Sequence, residues 1–288
     1  MRSIWFVMVV AASLVADNVR AANLFLSDFG SNIFEFTPAG VRTTFASDLS
    51  QANSLAFDSA GNLFVSDSGG FNIYKYTPDG TRSTFAAGVI YPNALAFDYA
   101  GNLFVASDGV GIIYKYTPEG VQSVFASGLD WPGGLAFDSD GNLFVSDGSL
   151  NSIFKYTPEG VQSTFATGIS PGGLAFDTDG NLFDADYGTG NIYKFTPTGE
   201  RSTFASGLGF GGPNKIAFDS AGNLFEANGS SGFIYEFAPD GTRSTFASGL
   251  DNASGVAFRP VPEPTTGALL AMGLAALVVN RQRCRHSS

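Results

Sequence analysis

The 288 residues include 36 Gly and 28 Phe but only 14 % charged side chains, a composition suited to short strands, tight turns and aromatic packing, with no length left for a second domain. Between residues 22 and 280 the chain keeps 10 of its 15 Lys and Arg but 25 of its 26 acids, so this stretch, near −15, should repel nucleic acid and anionic lipid and favour cations or basic partners. Cys284 is the single cysteine, which excludes an intramolecular disulfide, and the single histidine, His286, lies in the basic C-terminal tail.

Taken in order, the chain opens with Arg2, an apolar run from Ile4 to Ala16 and small residues ending in Val19-Arg20-Ala21. This pattern predicts a secretory signal peptide over residues 1–21, cleaved after Ala21 or, alternatively, Ala16. The apolar run is short for a membrane span.

From residue 23 onward one word returns. Gly-Asn-Leu-Phe begins at Gly61, Gly101, Gly141, Gly180 and Gly222, with Asn23-Leu24-Phe25 as a truncated first copy, so successive copies are spaced by 39, 40, 40, 39 and 42 residues. Each copy carries period-two apolar alternation in four runs, as in Leu135–Asp138, Asn142–Asp147, Ile153–Thr157 and Gln162–Ala166. Asp140-Gly141 marks a tight hairpin between the first two runs and Pro158-Glu159-Gly160 another between the last two. The fourth run, with Gln162, Ser163 and Thr164, is the most polar, as an exposed edge strand should be. Four antiparallel strands repeated six times predict an all-β, six-bladed β-propeller over residues 22–259, since one such unit cannot bury both faces alone. The chain enters on a second-strand word (Asn23 to Asp28) and leaves on a first-strand word (Gly255 to Phe258), so one blade should be closed by both termini. Phe57, Phe97, Phe137, Phe176, Phe218 and Phe258 share one first-strand position and are expected to pack between blades.

The repeat word Pro-x-Gly-Leu-Ala-Phe-Asp-Ser-Asp-Gly-Asn-Leu-Phe-Val-Ser-Asp resembles NHL-type repeats and the wider gluconolactonase-like group of six-bladed propellers over residues 23–258. That fold hosts lactonases, lyases and binding modules alike, so the resemblance implies architecture more than activity.

After the repeats, Val261-Pro262-Glu263-Pro264 precedes an apolar run over 265–279 and then Arg281, Arg283 and Arg285. As a helix that run spans about 22 Å, short for a bilayer but aided by snorkelling arginines, whose basic end should stay cytoplasmic. The order resembles the PEP-CTERM sorting signal of bacterial envelope proteins, placed over residues 260–288. It implies an exosortase-type sorting enzyme as partner and transient membrane anchoring through 265–279.

Strand direction puts the fourth-to-first and second-to-third connections on one face, here the upper, and the regular hairpins on the other. Two rings of positions should line the upper channel mouth. One ends the second strands: Asp28, Asp67, Ser107 with Asp108 beside it, Asp147, Asp186 and Asn228. These carboxylates would hold Ca²⁺ or, more simply, each cap its own turn. The other ring precedes the first strands: Asn53, Asn93, Gly133, Gly172, Asn214 and Ser254. The gluconolactonase-like resemblance implies a central divalent metal held at such positions; Asn53, Asn93 and Asn214 match in type, but no acid stands in this ring.

Two residues depart from the repeat more sharply. The apolar position of Val65, Val105 and Val145 becomes Asp184 and Glu226 in consecutive copies. A carboxylate there must be paired, hydrated or bound to a cation, so Asp184, Glu226 and Asn214 are the candidate metal ligands. No histidine falls between residues 22 and 280, so His-based acid–base chemistry and a Ser-His-Asp triad are unavailable there. The functional expectation is an exported protein of the envelope or extracellular matrix acting as a binding or scaffold module toward an envelope protein or polysaccharide. The alternative is a divalent-metal-dependent lactonase-like hydrolase or lyase at the channel, and a third reading is a matrix constituent with no discrete ligand.

Overall fold

The structure, a computed structural model, describes residues 22–260. The expected signal peptide, the sorting residues Val261 to Arg285 and the apolar run 265–279 lie outside the described residues.

Among the described residues, twenty-four strands form six separate four-stranded sheets. The innermost strands are β24 (Val256–Phe258), β4 (Ala52–Phe57), β8 (Pro92–Phe97), β12 (Pro132–Phe137), β16 (Pro171–Phe176) and β20 (Pro213–Phe218), and each following triplet runs outward from its inner strand. In the fourth blade, for example, β12 pairs with β13 (Leu143–Asp147), β13 with β14 (Ser152–Tyr156) and β14 with β15 (Gln162–Thr167), all antiparallel. The alternation in the sequence therefore falls where expected, except that the first strand begins three residues earlier, at Pro132 rather than Leu135. The outermost strand is exposed along its first half, in keeping with its Gln, Ser and Thr.

Closure follows the split-blade expectation. β24 docks on β1 (Leu24–Ser27) with Leu24 opposite Phe258 and Leu26 opposite Val256, so residues from both ends build one sheet with β2 (Ile33–Phe36) and β3 (Arg42–Ala46). Closing the ring covers the apolar faces that an open row of blades would leave to water.

Side chains that alternate along the second strands decide how blades meet. Each second-strand Phe points to the following blade: Phe144 meets Phe165 of its own blade and Phe176 of the next edge-to-face, both with centroids 5.0 Å apart. The same trio recurs at all six junctions, beginning with Phe25, Phe45 and Phe57 at 5.1 Å. An edge-to-face pair of this kind contributes about 0.5–1.5 kcal/mol beyond its buried area. The neighbouring positions of the strand, such as Leu143 and Val145, point the other way, into the junction with the preceding blade.

The lower hairpins are near copies of one another. Asp138 accepts hydrogen bonds from the Asp140 and Asn142 amides and from the Asn142 side chain, while Gly141 takes φ +81° to close the turn. Equivalent bonds hold Asp58, Asp98, Asp177 and Asp219 to their own turns.

Candidate functional site

The upper face opens into a cavity of about 610 Å³ on the propeller axis. Its floor is the ring that precedes the inner strands: Asn53, Asn93, Gly133, Gly172 and Asn214 all line it. Its walls come from the variable upper connections, with Trp131, Tyr187, Phe210 and Phe29 supplying aromatic surface.

A chain of hydrogen bonds ties the floor together across blades. Asn214 Nδ2 donates to Ser254 Oγ at 3.3 Å, Ser254 Oγ to Asn53 Oδ1 at 3.0 Å, and Asn53 Nδ2 to Asn93 Oδ1 at 3.1 Å. Asn93 Nδ2 in turn donates to Asp108 Oδ2 at 3.2 Å, which also accepts the Trp131 indole N–H at 3.1 Å. Among the described residues, Asp108 is thus the one carboxylate lining the cavity, held between an amide and a ring N–H.

Lys215 completes the floor; read from the sequence as a local pairing partner for Asp184 or Glu226, it bonds the opposite side of the ring instead. It stands in β20 at the inner-strand position occupied elsewhere by Ser54, Ala94, Gly134, Gly173 and Gly255. Its side chain crosses the axis to the opposite blades, where Nζ donates to Asn93 Oδ1 at 3.2 Å and to the Gly133 carbonyl. Below it lies a second pocket of only about 60 Å³, so Lys215 separates the cavity from the lower channel. Burial pushes its amine down to about 8, partly countered by the nearby Asp108 carboxylate. A long cation at a position otherwise kept small was the signal in the sequence that would have revealed it.

The other expected ring residues do different work. Asp67 accepts from the Ser50 and Gln51 amides, Asp147 from Asp130, Trp131 and Leu150, and Asp186 from Ser170 and Thr189. Asn228 binds Leu208 O and the Ser231 amide, and Asp28 binds Gly30 and Asn32. These side chains fasten the upper loops to the ends of the second strands, and none of the five lines the cavity. In Asp67, Asp147, Asp186 and Asn228 the side chain is buried beneath the loops it holds.

Asp184 and Glu226 are not gathered with Asn214. They occupy the strand face that carries Val65 and Val145, so Asp184 points into the junction between the fourth and fifth blades and Glu226 into that between the fifth and sixth. A whole blade separates the two layers. Both residues are 0 % exposed; Asp184 accepts from the Gly172 amide through Oδ1, whereas Asp184 Oδ2 and both Glu226 oxygens have no partner. Desolvation is the main cause that raises Asp184 well above the carboxylate range, helped by the Asp186 charge, and it pushes Glu226 up to about 8. Both shifts favour the protonated form, which lowers the desolvation cost of a carboxyl group at these buried positions. Among the described residues, no three His, Cys, Asp or Glu side chains gather as a cation site requires. On the axis, the oxygens of Asn93 and Gly133 already receive the Lys215 amine, so the residues present do not fit a central divalent metal of the gluconolactonase-like kind.

Fold and cavity together define a six-bladed β-propeller with an axial pocket on one face. Its C-terminal segment carries a PEP-CTERM protein-sorting motif, whose family profile matches residues 260–283 and marks the chain for export and envelope sorting by an exosortase-type enzyme. No curated protein matches the sequence. Among solved structures, the fold is similar to a chain of a nidogen/laminin complex, at TM-score 0.76 and 19 % identity over 83 % of this chain and 98 % of that one. A gluconolactonase from Xanthomonas campestris gives TM-score 0.65 and 22 % identity over 72 % and 79 % of the two chains. Virginiamycin B lyase from Staphylococcus aureus gives 0.63 and 16 % over 83 % and 89 %. At these identities the likeness is one of fold.

Proposed function

We propose that the protein is an exported propeller that acts at the cell envelope or in the extracellular matrix as a binding module, with its ligand taken in the axial cavity of the upper face. The observation that carries this reading is the cavity itself. Its volume falls inside the range of roughly 300–1,000 Å³ usual for small-ligand sites, and its walls are apolar with a few convergent polar groups on the floor. The composition of the lining favours holding a ligand over cleaving one: amides and aromatic rings surround a single carboxylate, and that carboxylate is already engaged by Asn93 and Trp131. The sorting motif supports this location, and in this reading residues 265–279 hold the exported chain at the membrane until the sorting enzyme acts on it.

The test is retention of the exported protein on envelope and matrix fractions of the producing cells, compared with Gly133→Phe. A Cβ at Gly133 meets only the Ser146 hydroxyl at 3.7 Å, and the residue lines the cavity, so a bulky side chain starting there should occupy the ligand's space. Retention of the native protein and release of the variant, at unchanged melting temperature, is the expected result. Failure of the native protein to be retained by any fraction overturns the binding reading.

A further inference from the structure

We infer that the ligand of the axial cavity is a neutral glycan, whose pyranose rings stack on the aromatic wall while their hydroxyls bond the amide floor. This inference rests on the binding reading above and names the chemistry of its ligand.

Trp131 carries the argument. Its indole N–H is fixed by Asp108 at 3.1 Å, and its ring rests on Gly148, where a Cβ would stand only 3.4 Å from Cε3. A Cβ at position 148 would therefore sit in van der Waals contact with the ring, which packs directly over this stretch of main chain. With one edge bonded and one side backed by main chain, the indole is a fixed plate that remains 51 % exposed at the cavity wall. A buried Trp normally hides its ring and a mobile surface Trp does not anchor its N–H; this one does neither. Across the mouth, Tyr187 and Phe210 form a second aromatic wall with centroids 5.6 Å apart, and Phe210 is 75 % exposed.

The floor sets the chemistry that must meet these rings. Beyond the bonds of the floor chain, Asn214 Oδ1, Asp108 Oδ1 and the second N–H of the Asn53, Asn93 and Asn214 amides remain to bond an occupant. A purely apolar occupant would strip water from these groups and return no hydrogen bonds, at a cost of about 1–3 kcal/mol for each group left unpaired. A pyranose presents an apolar C–H face to an aromatic plate and hydroxyls around its edge, so it answers wall and floor together.

Charge separates neutral from acidic glycans. The stretch from 22 to 280 is near −15 and the cavity's own carboxylate, Asp108, lies on its floor. The one cation there, Lys215, already donates to Asn93 and Gly133 and stands close to Asp108, so it offers no unbalanced positive charge for a uronate or a phosphate.

Envelope fractions treated with periodate, which cleaves vicinal diols, and with proteinase K, which removes proteins, distinguish the sources of binding. Periodate should abolish retention of the exported protein and proteinase K should leave it. Trp131 is the single tryptophan from residue 22 to the C-terminus, so neutral oligosaccharides released from the fractions by acid should shift its fluorescence on binding. Trp131→Ala and Phe210→Ala should each weaken retention about tenfold, at unchanged melting temperature and with little dependence on salt. Retention that survives periodate but not proteinase K overturns the glycan while leaving the binding module standing. Absence of retention on untreated fractions overturns both readings. Unchanged affinity in both aromatic variants, or binding that collapses at high salt, overturns the neutral, ring-stacked ligand.

Discussion

The second strand is the same backbone in every blade, yet its central inward position is filled in two ways. Leu26, Val65, Val105 and Val145 give four junctions an apolar contact, whereas Asp184 and Glu226 put a carboxyl group at the two junctions that flank the fifth blade. The surrounding Phe trios have the same geometry in both sets, with centroids 5.0 Å apart for Phe104–Phe137 at the Val145 junction and for Phe144–Phe176 at the Asp184 junction. The junction therefore admits an acid without rearranging, and burial instead shifts the acid toward its protonated form. A rigid repeat isolates the electrostatic term, because packing is held constant while one side chain changes.

The strongest way to break this comparison is to carry the acid into an apolar junction. Val145→Asp should destabilise the fold by about 3–5 kcal/mol at pH 8 in denaturant titrations, since Val145 is 0 % exposed and an aspartate there has no built partner. A loss below about 1 kcal/mol would show that water reaches this depth and would remove the argument from desolvation.

The reverse substitution sharpens it. Glu226→Val should raise stability at pH 8 by about 2–4 kcal/mol and much less at pH 5. Unfolded, the glutamate ionises near its ordinary 4.5; folded, burial holds its proton until about 8. Between those values the folded state carries the extra proton, so stability is greatest below the lower value and falls as pH rises through the interval. Asp184 is shifted in the same direction and adds to the slope. Unfolding followed from pH 5 to 8 should show native stability declining and the Asp184→Val, Glu226→Val double variant nearly level. Parallel curves would mean that neither group titrates in the folded chain as its burial requires.

The smallest effect should come from the repeated lower-face ion pairs. Lys155 lies 3.3 Å from Asp138 with its side chain 34 % exposed, so Lys155→Ala should cost about 1 kcal/mol or less. The equivalent pairs at Lys75, Lys115 and Lys194 should behave alike. A larger loss would place the lower hairpins, not the blade junctions, at the centre of stability.

Much of the architecture was legible because it is written locally and repeatedly. Apolar alternation gave the strands, Asp-Gly and Pro-x-Gly gave the hairpins, and the offset of the terminal words gave the shared blade that β1 and β24 form. Phe57 and its equivalents were expected at blade junctions and lie there. The candidate site was harder to read. Asn53, Asn93 and Asn214 were expected at the channel mouth and do line the cavity, while Asp28, Asp67, Asp147, Asp186 and Asn228, expected beside them, bind the loops instead. Both roles suit an acid or amide at a strand end, and only the direction of the side chain separates them.

By itself, then, the sequence determined the number of blades, the strand order, the closure by both termini and the sorting motif, since each depends on residues close in the chain or on a fixed period. Tertiary structure decided which side chains face the axis. Trp131, Tyr187, Phe210 and Lys215 come from different connections and strands and meet only when the ring closes. The crossing of Lys215 to Asn93 and Gly133 joins blades 122 and 82 residues apart in the chain. No local pattern encodes that approach, because it is set by the circumference of the closed ring and by what fills its centre.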